Sequence, residues 1–159
     1  MNLKPSRGAI LPNKTLRILI ADEQHFHRMK TERLFNQLGY YRVAPVQSLV
    51  EMLTLVEYGC EPFDLVVINA SLADGALNLL GFFLDNGQVH HALIYDGRPA
   101  QLSPIPAVGV KHKVQQKVQV SHGARPDLVS IQRLMALIDP PAGEASQSPV
   151  HARYQHQTA

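Results

Sequence analysis

The chain has 159 residues, of which 45% are hydrophobic and 18% are charged, and its formal net charge is +2. This length and composition are typical of one globular domain, and the small net charge, without a Lys/Arg block, argues against nucleic acid as a partner. The single cysteine excludes an intrachain disulfide, and no apolar run approaches the ~18 residues of a membrane-spanning helix. We therefore expect a cytoplasmic protein with neither nucleic acid nor membrane as a partner.

The two ends of the chain differ in composition from its middle. Residues 1–15 contain proline and glycine with little periodicity, and are predicted to be a flexible leader. Residues 139–159 carry too little apolar surface to offset the entropy of ordering, and are predicted to be a disordered tail. One folded domain is expected between them, at residues 16–138.

Short apolar segments alternate with segments of helical periodicity in the middle of the chain. Local signals mark the helix ends: Gly39 is a C-cap residue, Ser48 and Glu51 form a capping-box pattern, and Pro126 suits the first helical position. The pattern predicts helices at 24–38, 48–58, about 75–86 and 126–138, and strands at 16–21, 40–46, 64–69, 92–96 and about 117–120.

Prolines interrupt the segment between the last two predicted strands. Pro99, Pro104 and Pro106 exclude a regular helix there, so a loop or a single turn is expected. The other alternating strands and helices indicate a parallel sheet that is covered on both faces. In such sheets the functional crevice lies at the carboxyl ends of the strands.

Polar residues follow three of the predicted strands at this crevice. The first strand ends in the acidic pair Asp22-Glu23, the third ends in Asn69, and the fourth ends in Asp96. The order and spacing of these motifs resemble those of a bacterial response-regulator receiver domain (CheY-like family) over about residues 15–138. The resemblance implies a doubly wound, five-stranded parallel sheet of the flavodoxin type, with the fourth helix missing or reduced to a loop.

The resemblance also implies roles for the residues of the crevice. In receivers, two acidic residues and an aspartate that accepts a phosphoryl group hold a magnesium ion, and these positions correspond to Asp22, Glu23 and Asn69. A Ser or Thr after the fourth strand corresponds to Asp96. Asparagine is neutral and a feeble nucleophile, so Asn69 cannot form an acyl phosphate in the way that an aspartate does.

Two switch-equivalent positions on the fifth strand also depart from the family pattern. The receiver lysine corresponds to Ser121 and the aromatic switch residue to Val118. Another register could still bring a lysine to the pocket, the candidates being Lys111, Lys113 and Lys117.

These departures indicate a degenerate pseudo-receiver that is not an enzyme. We expect a stand-alone, phosphorylation-independent module that binds a protein partner in bacterial signal transduction. One alternative is a receiver that is phosphorylated on a substitute acidic residue, Asp74 or Asp96. Another is a homodimeric assembly or scaffold protein, joined through apolar residues such as Leu102, Ile105 and Val108.

The acidic residues of the crevice allow two interpretations. Asp22, Glu23 and Asp96, helped by the Asn69 amide oxygen, could bind Mg2+ without phosphate, because hard cations prefer oxygen ligands. Alternatively, these carboxylates lie in a hydrated cleft that binds no metal. No cofactor is required by either interpretation.

Overall fold

The central element of the protein is a five-stranded parallel sheet. A computed structural model describes residues 12–97, 117–122 and 125–140 of the chain. The strand order is β2-β1-β3-β4-β5, which confirms the predicted doubly wound, flavodoxin-like arrangement. The strands are β1 (Ile18–Ala21), β2 (Val43–Val46), β3 (Leu65–Asn69), β4 (Ala92–Tyr95) and β5 (Val118–Ser121).

Four helices of the described residues cover the two faces of this sheet. They are α1 (His25–Gln37), α2 (Leu49–Tyr58), α3 (Leu79–Asp85) and α4 (Leu128–Ile138), and a 3-10 helix, Ala70–Leu72, follows β3. Side chains of α2 and α3 pack with Leu19, Val66 and Ile94 on one face. Side chains of α1 and α4 pack with Ile18 and Val67 on the other face, because successive strand residues point to opposite sides.

The caps of α2 and α4 decide where these helices begin. The Ser48 hydroxyl accepts a hydrogen bond from the Glu51 N–H at 3.2 Å, as the capping pattern predicts. The prediction that Pro126 is the first residue of the last helix is wrong. Asp127 is the N-cap of α4, its carboxylate accepts from the Ser130 N–H at 2.8 Å, and the helix begins at Leu128.

The helix after β3 begins later than the predicted position near Gly75. Asp74 has a φ of 28° and Gly75 a φ of 85°, and two consecutive residues in this region cannot belong to a right-handed helix. α3 therefore begins at Leu79, with the Asn78 side chain as its cap. Its buried positions are Leu79 and Phe83, whereas Leu77, Leu80 and Leu84, which share a helical spacing, are only partly buried.

Residues near both predicted domain boundaries make hydrogen bonds across the fold. The Asp139 carboxylate accepts from the Asn13 N–H at 2.9 Å and from the Tyr40 hydroxyl at 2.7 Å. Gly39 has a φ of 95°, which agrees with its predicted place at the end of the first helix, and a side chain there would collide with the Pro12 ring. The division into leader, domain and tail otherwise stays a prediction.

Several predictions fall outside the described residues. These are the reduced fourth helix with its three prolines, the apolar residues Leu102, Ile105 and Val108, and the lysines Lys111 and Lys113. Among the described residues, no helix is long and apolar enough to cross a membrane.

Candidate functional site: a closed acidic cleft

The strand register brings one polar side chain from each of three neighbouring strands to the carboxyl end of the sheet. Ala21 pairs with Ile68, so Asp22 follows β1 at the level of Asn69, and Asn69 pairs with Tyr95. Strand side chains alternate, so Asp22, Asn69 and Tyr95 continue the face that carries Ile20, Val67 and Leu93. The three side chains therefore meet beneath the carboxyl edge, next to the α1 and α4 layer.

The Asp22 carboxylate is completely buried and accepts hydrogen bonds from three neutral donors. Its Oδ1 accepts from the Gln24 N–H at 2.9 Å. Its Oδ2 accepts from the Asn69 amide at 3.3 Å and from the Tyr95 hydroxyl at 2.5 Å. A buried charge needs such partners, because leaving it without them costs several kcal/mol by order of magnitude. These contacts occupy both oxygens of the carboxylate.

The orientation of Asn69 follows from the chain immediately after it. Its Oδ1 accepts from the Ser71 N–H at 3.1 Å, which caps the 3-10 helix and leaves the NH2 group to face Asp22. An ionised aspartate at this position could accept from Ser71, but it could not donate to Asp22. With an aspartate at position 69, two carboxylates would lie side by side. With asparagine, the two side chains form a hydrogen bond instead.

Tyr95 is a member of the cleft that the sequence analysis missed. Its side chain is fully buried, and burial, together with the hydrogen bond to Asp22 and the charge of that carboxylate, raises its pKa well above the ordinary value of 10.0. The hydroxyl therefore remains a donor throughout the physiological pH range. The sequence contains no direct signal for it, because the register that places Tyr95 level with Asn69 is set only when β3 and β4 pair.

Two arginines that the sequence analysis did not select lie beside the cleft. Arg28 donates from Nη1 to the main-chain oxygen of Asp22 at 2.7 Å. The Arg125 guanidinium lies over Gly97, where an added Cβ would be 2.9 Å from its Cζ, and its charge partly opposes the rise in the pKa of Tyr95. Arg28 therefore brings positive charge to the main chain of Asp22, and Arg125 brings it close to Tyr95.

The remaining predicted site residues are distributed around the sheet. Asp96 is 7% exposed, and its N–H donates to the Ser121 carbonyl at 3.3 Å at the carboxyl edge. Val118 is the first residue of β5, at the amino end of the sheet, and its side chain is buried in the core. Glu23 is exposed.

The lysine nearest to the fifth strand does not serve the cleft. The Lys117 ammonium donates to the carbonyls of Leu84 and Asn86, at 3.5 and 3.1 Å, at the carboxyl end of α3. A cation is favourable there because the helix dipole is negative at that end. The Lys117 side chain therefore bonds to the end of α3, next to the first residue of β5.

The described residues do not contain a formed metal centre. Within residues 12–97, 117–122 and 125–140, no three His, Cys, Asp or Glu side chains are grouped so that they could hold a metal ion. Both contacts of Asp22 Oδ2 are with protein donors, and Glu23 is exposed. Asp22 and Glu23 are therefore not arranged around a common metal position in this structure. The predicted Mg2+ site at Asp22, Glu23 and Asp96 stays a prediction.

Several solved structures with a similar fold are receiver domains. A CheY-like receiver domain from Methylobacillus flagellatus shares 15% identity with a TM-score of 0.56, covering 78% of this chain and 98% of that chain. A signal receiver domain of a two-component histidine kinase from Clostridium thermocellum shares 16% identity with a TM-score of 0.57, covering 78% and 97%.

The chain has the receiver-domain fold. A third similar structure, the N-terminal domain of a response regulator/sensory box/GGDEF protein from Carboxydothermus hydrogenoformans, shares 16% identity with a TM-score of 0.55, covering 83% of this chain and 99% of that chain. No protein-family model matches the sequence, and no curated protein matches it. At these identities the likeness concerns the fold, and the chemistry must be argued from the cleft.

Proposed function

We propose that this protein is a pseudo-receiver that acts as a phosphorylation-independent protein–protein interaction module in bacterial signal transduction. The observation that carries the proposal is the Asn69 amide, which lies at the carboxyl end of β3 and donates to the buried Asp22 carboxylate at 3.3 Å. A receiver fold supports a role in signal transduction, and the asparagine removes the step by which such a fold is ordinarily switched.

The chemical argument begins with the nucleophile. An acyl phosphate forms when a carboxylate oxygen attacks phosphorus, and the neutral amide oxygen of Asn69 is a poor nucleophile that accepts from the Ser71 N–H instead. A phosphoryl group also brings negative charge, for which Asp96 is an unfavourable neighbour. Both residues argue against a phosphorylated state of this cleft.

The partner would then recognise a surface whose shape does not depend on phosphorylation. Helix α4 carries the exposed side chains Val129 and Leu137, whereas its side chains Ile131, Leu134 and Met135 are buried in the core. Exposed apolar side chains are candidates for contact with another protein. Binding would be controlled by the amount of protein or by the partner, without a phosphorylation signal.

Phosphorylation chemistry gives the direct test. The protein is incubated with Mg2+ and acetyl phosphate, and the intact mass is measured alongside a receiver that has its aspartate. We expect no phosphoryl adduct on this chain. A stoichiometric adduct would refute the proposal, and its loss in Asp96→Asn or Asp74→Asn would identify a substitute acceptor.

A beryllofluoride titration followed by amide NMR gives a second readout that does not require a stable covalent product. Beryllofluoride mimics a phosphoryl group on a receiver aspartate, so we expect no global change in the spectrum of the unmodified chain. A change that spreads from β3 and β4 to α4 would show that a phosphoryl-type switch survives, against the proposal.

A further inference from the structure

We propose that Tyr95 acts as an internal ligand of Asp22 that keeps divalent cations out of the cleft, so that an aspartate at position 69 does not by itself restore a cation site. This inference deepens the proposed function and rests on it. It assigns the closure of the cleft to a residue other than the one at the phosphoacceptor position.

The distances support Tyr95 as the stronger of the two donors to Asp22 Oδ2. The tyrosine O–H···O distance is 2.5 Å, within the short range of hydrogen bonds to an ionised acceptor. The Asn69 amide is 3.3 Å from the same oxygen, which is long for an N–H···O bond. Substitution of Asn69 therefore removes the weaker contact and leaves the stronger one in place.

The packing of Tyr95 prevents its hydroxyl from moving aside. Tyr95 is the last residue of β4, pairs with Asn69 on one side and Ser121 on the other, and is fully buried. Its ring belongs to the same cluster of buried side chains as Ile20 and Ile131. Because protein interiors are close-packed, a rotation of the ring away from Asp22 would disturb this core.

The charge near Tyr95 acts in the same direction. A cation that reached Asp22 Oδ2 would have to displace the Tyr95 hydroxyl that donates to this oxygen. The Arg125 guanidinium beside Gly97 also adds positive charge close to Tyr95. Both effects disfavour entry of a second cation.

The test compares four proteins: the unmodified chain, Asn69→Asp, the double variant Asn69→Asp/Tyr95→Phe, and the control Asn69→Asp/Tyr40→Phe. Tyr40 is a matched control, because it is also buried and also donates to a carboxylate, that of Asp139, at 2.7 Å. It precedes β2 at the amino end of the sheet, away from the cleft. Mn2+ alone is titrated into each protein, and free Mn2+ is measured by electron paramagnetic resonance.

We expect Mn2+ to bind to the double variant that lacks Tyr95 at least about tenfold more tightly than to Asn69→Asp, a difference of about 1.4 kcal/mol. The Tyr40 control should bind like Asn69→Asp. Equal affinities of Asn69→Asp with and without Tyr95 would overturn the inference, as would equal gains from the Tyr95 and Tyr40 substitutions.

Thermal unfolding with and without millimolar Mn2+ tests the inference also when the double variant Asn69→Asp/Tyr95→Phe is only marginally stable. A cation that binds the folded state raises the Tm, so the double variant should gain stability from Mn2+ and Asn69→Asp should gain much less. An absence of any Mn2+ effect on the double variant would also overturn the inference. Phosphorylation of the unmodified chain would refute the proposed function alone, since the inference depends on the three variants that carry Asn69→Asp.

Discussion

Charged side chains lie in opposite environments at the two ends of the sheet, buried at the carboxyl end and exposed at the amino end. At the carboxyl end, Asp22 is 0% exposed and satisfied by neutral donors at short range. At the amino end, the Glu61 carboxylate is 62% exposed and lies 3.8 Å from Arg17 Nε and 3.6 Å from Arg42 Nη2. Water screens the second arrangement and is excluded from the first, so similar substitutions should have very different costs at the two ends.

The amino end nevertheless contains contacts that depend little on ion pairing. The Arg17 guanidinium lies 4.4 Å from the centre of the Phe63 ring and donates to the Glu61 carbonyl at 2.5 Å. The Arg17 N–H also donates to Asp64 at 2.8 Å. Stacking and main-chain bonds, more than the exposed carboxylate of Glu61, hold Arg17 in place.

The largest expected effect is the removal of the buried carboxylate. Asp22→Ala leaves the Tyr95 hydroxyl and the Asn69 amide without an acceptor, so we expect a loss of about 3 kcal/mol in the free energy of unfolding. The matched control is Glu23→Ala, which makes the same change in charge at an exposed neighbour and should alter stability by less than about 0.5 kcal/mol. Urea denaturation measures both, and equal losses would contradict the role assigned to burial.

The next effect separates the two tyrosine–carboxylate pairs. Tyr95→Phe removes a donor from a fully buried carboxylate and should cost about 2 kcal/mol, because hydrogen bonds to charged groups exceed neutral ones. Tyr40→Phe removes the same group from Asp139, which is partly exposed and can recruit water, and should cost about 1 kcal/mol. Urea denaturation of both variants gives the ranking, and a larger loss for Tyr40→Phe would reverse the comparison.

The same pairs predict the behaviour of the protein in alkali. Burial, followed by the hydrogen bond to a carboxylate and its charge, raises the pKa of Tyr95 and of Tyr40 above the unfolded value of 10.0. The folded state therefore binds a proton that the unfolded state has released, so this stability is fully present below pH 10.0 and is lost as the pH rises above it.

The free energy of unfolding should fall by about 1.4 kcal/mol per pH unit for each tyrosine that stays protonated in the folded state. Unfolding free energies at a series of pH values on either side of 10 would measure this slope. Tyr95→Phe should make the slope shallower, and an unchanged slope in that variant would show that Tyr95 ionises without unfolding.

The smallest effect is expected at the amino end. Glu61→Ala removes both exposed ion pairs and should change the free energy of unfolding by no more than about 0.5 kcal/mol, since exposed pairs are screened and gain little over hydration. The effect should shrink further in high salt. A loss comparable with that of Tyr95→Phe would abolish the distinction between the two ends.

The fold was predictable because its signals are local and repeated. Buried strands such as Leu65–Asn69 are continuous apolar runs, and capping residues such as Ser48 locate a helix start within a residue or two. The start of α3 was less accessible, because Leu77 has the helical spacing of Leu80 and Leu84 although it precedes the helix, which begins at Leu79. Periodicity alone cannot show that the chain just before it, at Asp74 and Gly75, has positive φ.

The candidate site was predictable in part. The position of Asn69 and the loss of a carboxylate nucleophile follow from the sequence order of β1 and β3, and the structure brings Asn69 to Asp22 as the motif implies. Asp96 was selected at the end of the fourth predicted strand, and its place in the acidic pocket stays a prediction. The register places Tyr95 level with Asn69, and successive strand residues point to opposite faces, so this neighbour of Asn69 could be assigned only once the register of β4 was known.

The sequence by itself determined the alternation of strands and helices, the polar residues at the carboxyl edge, and the absence of an aspartate at position 69. Only the tertiary structure decided that Tyr95 closes the cleft, that Arg28 and Arg125 lie beside it, and that Lys117 serves α3 instead. The physical reason is range: apolar periodicity and caps act between residues a few positions apart. The contacts of Asp22 with Asn69 and Tyr95, separated by 47 and 73 positions, exist only once the strands have paired.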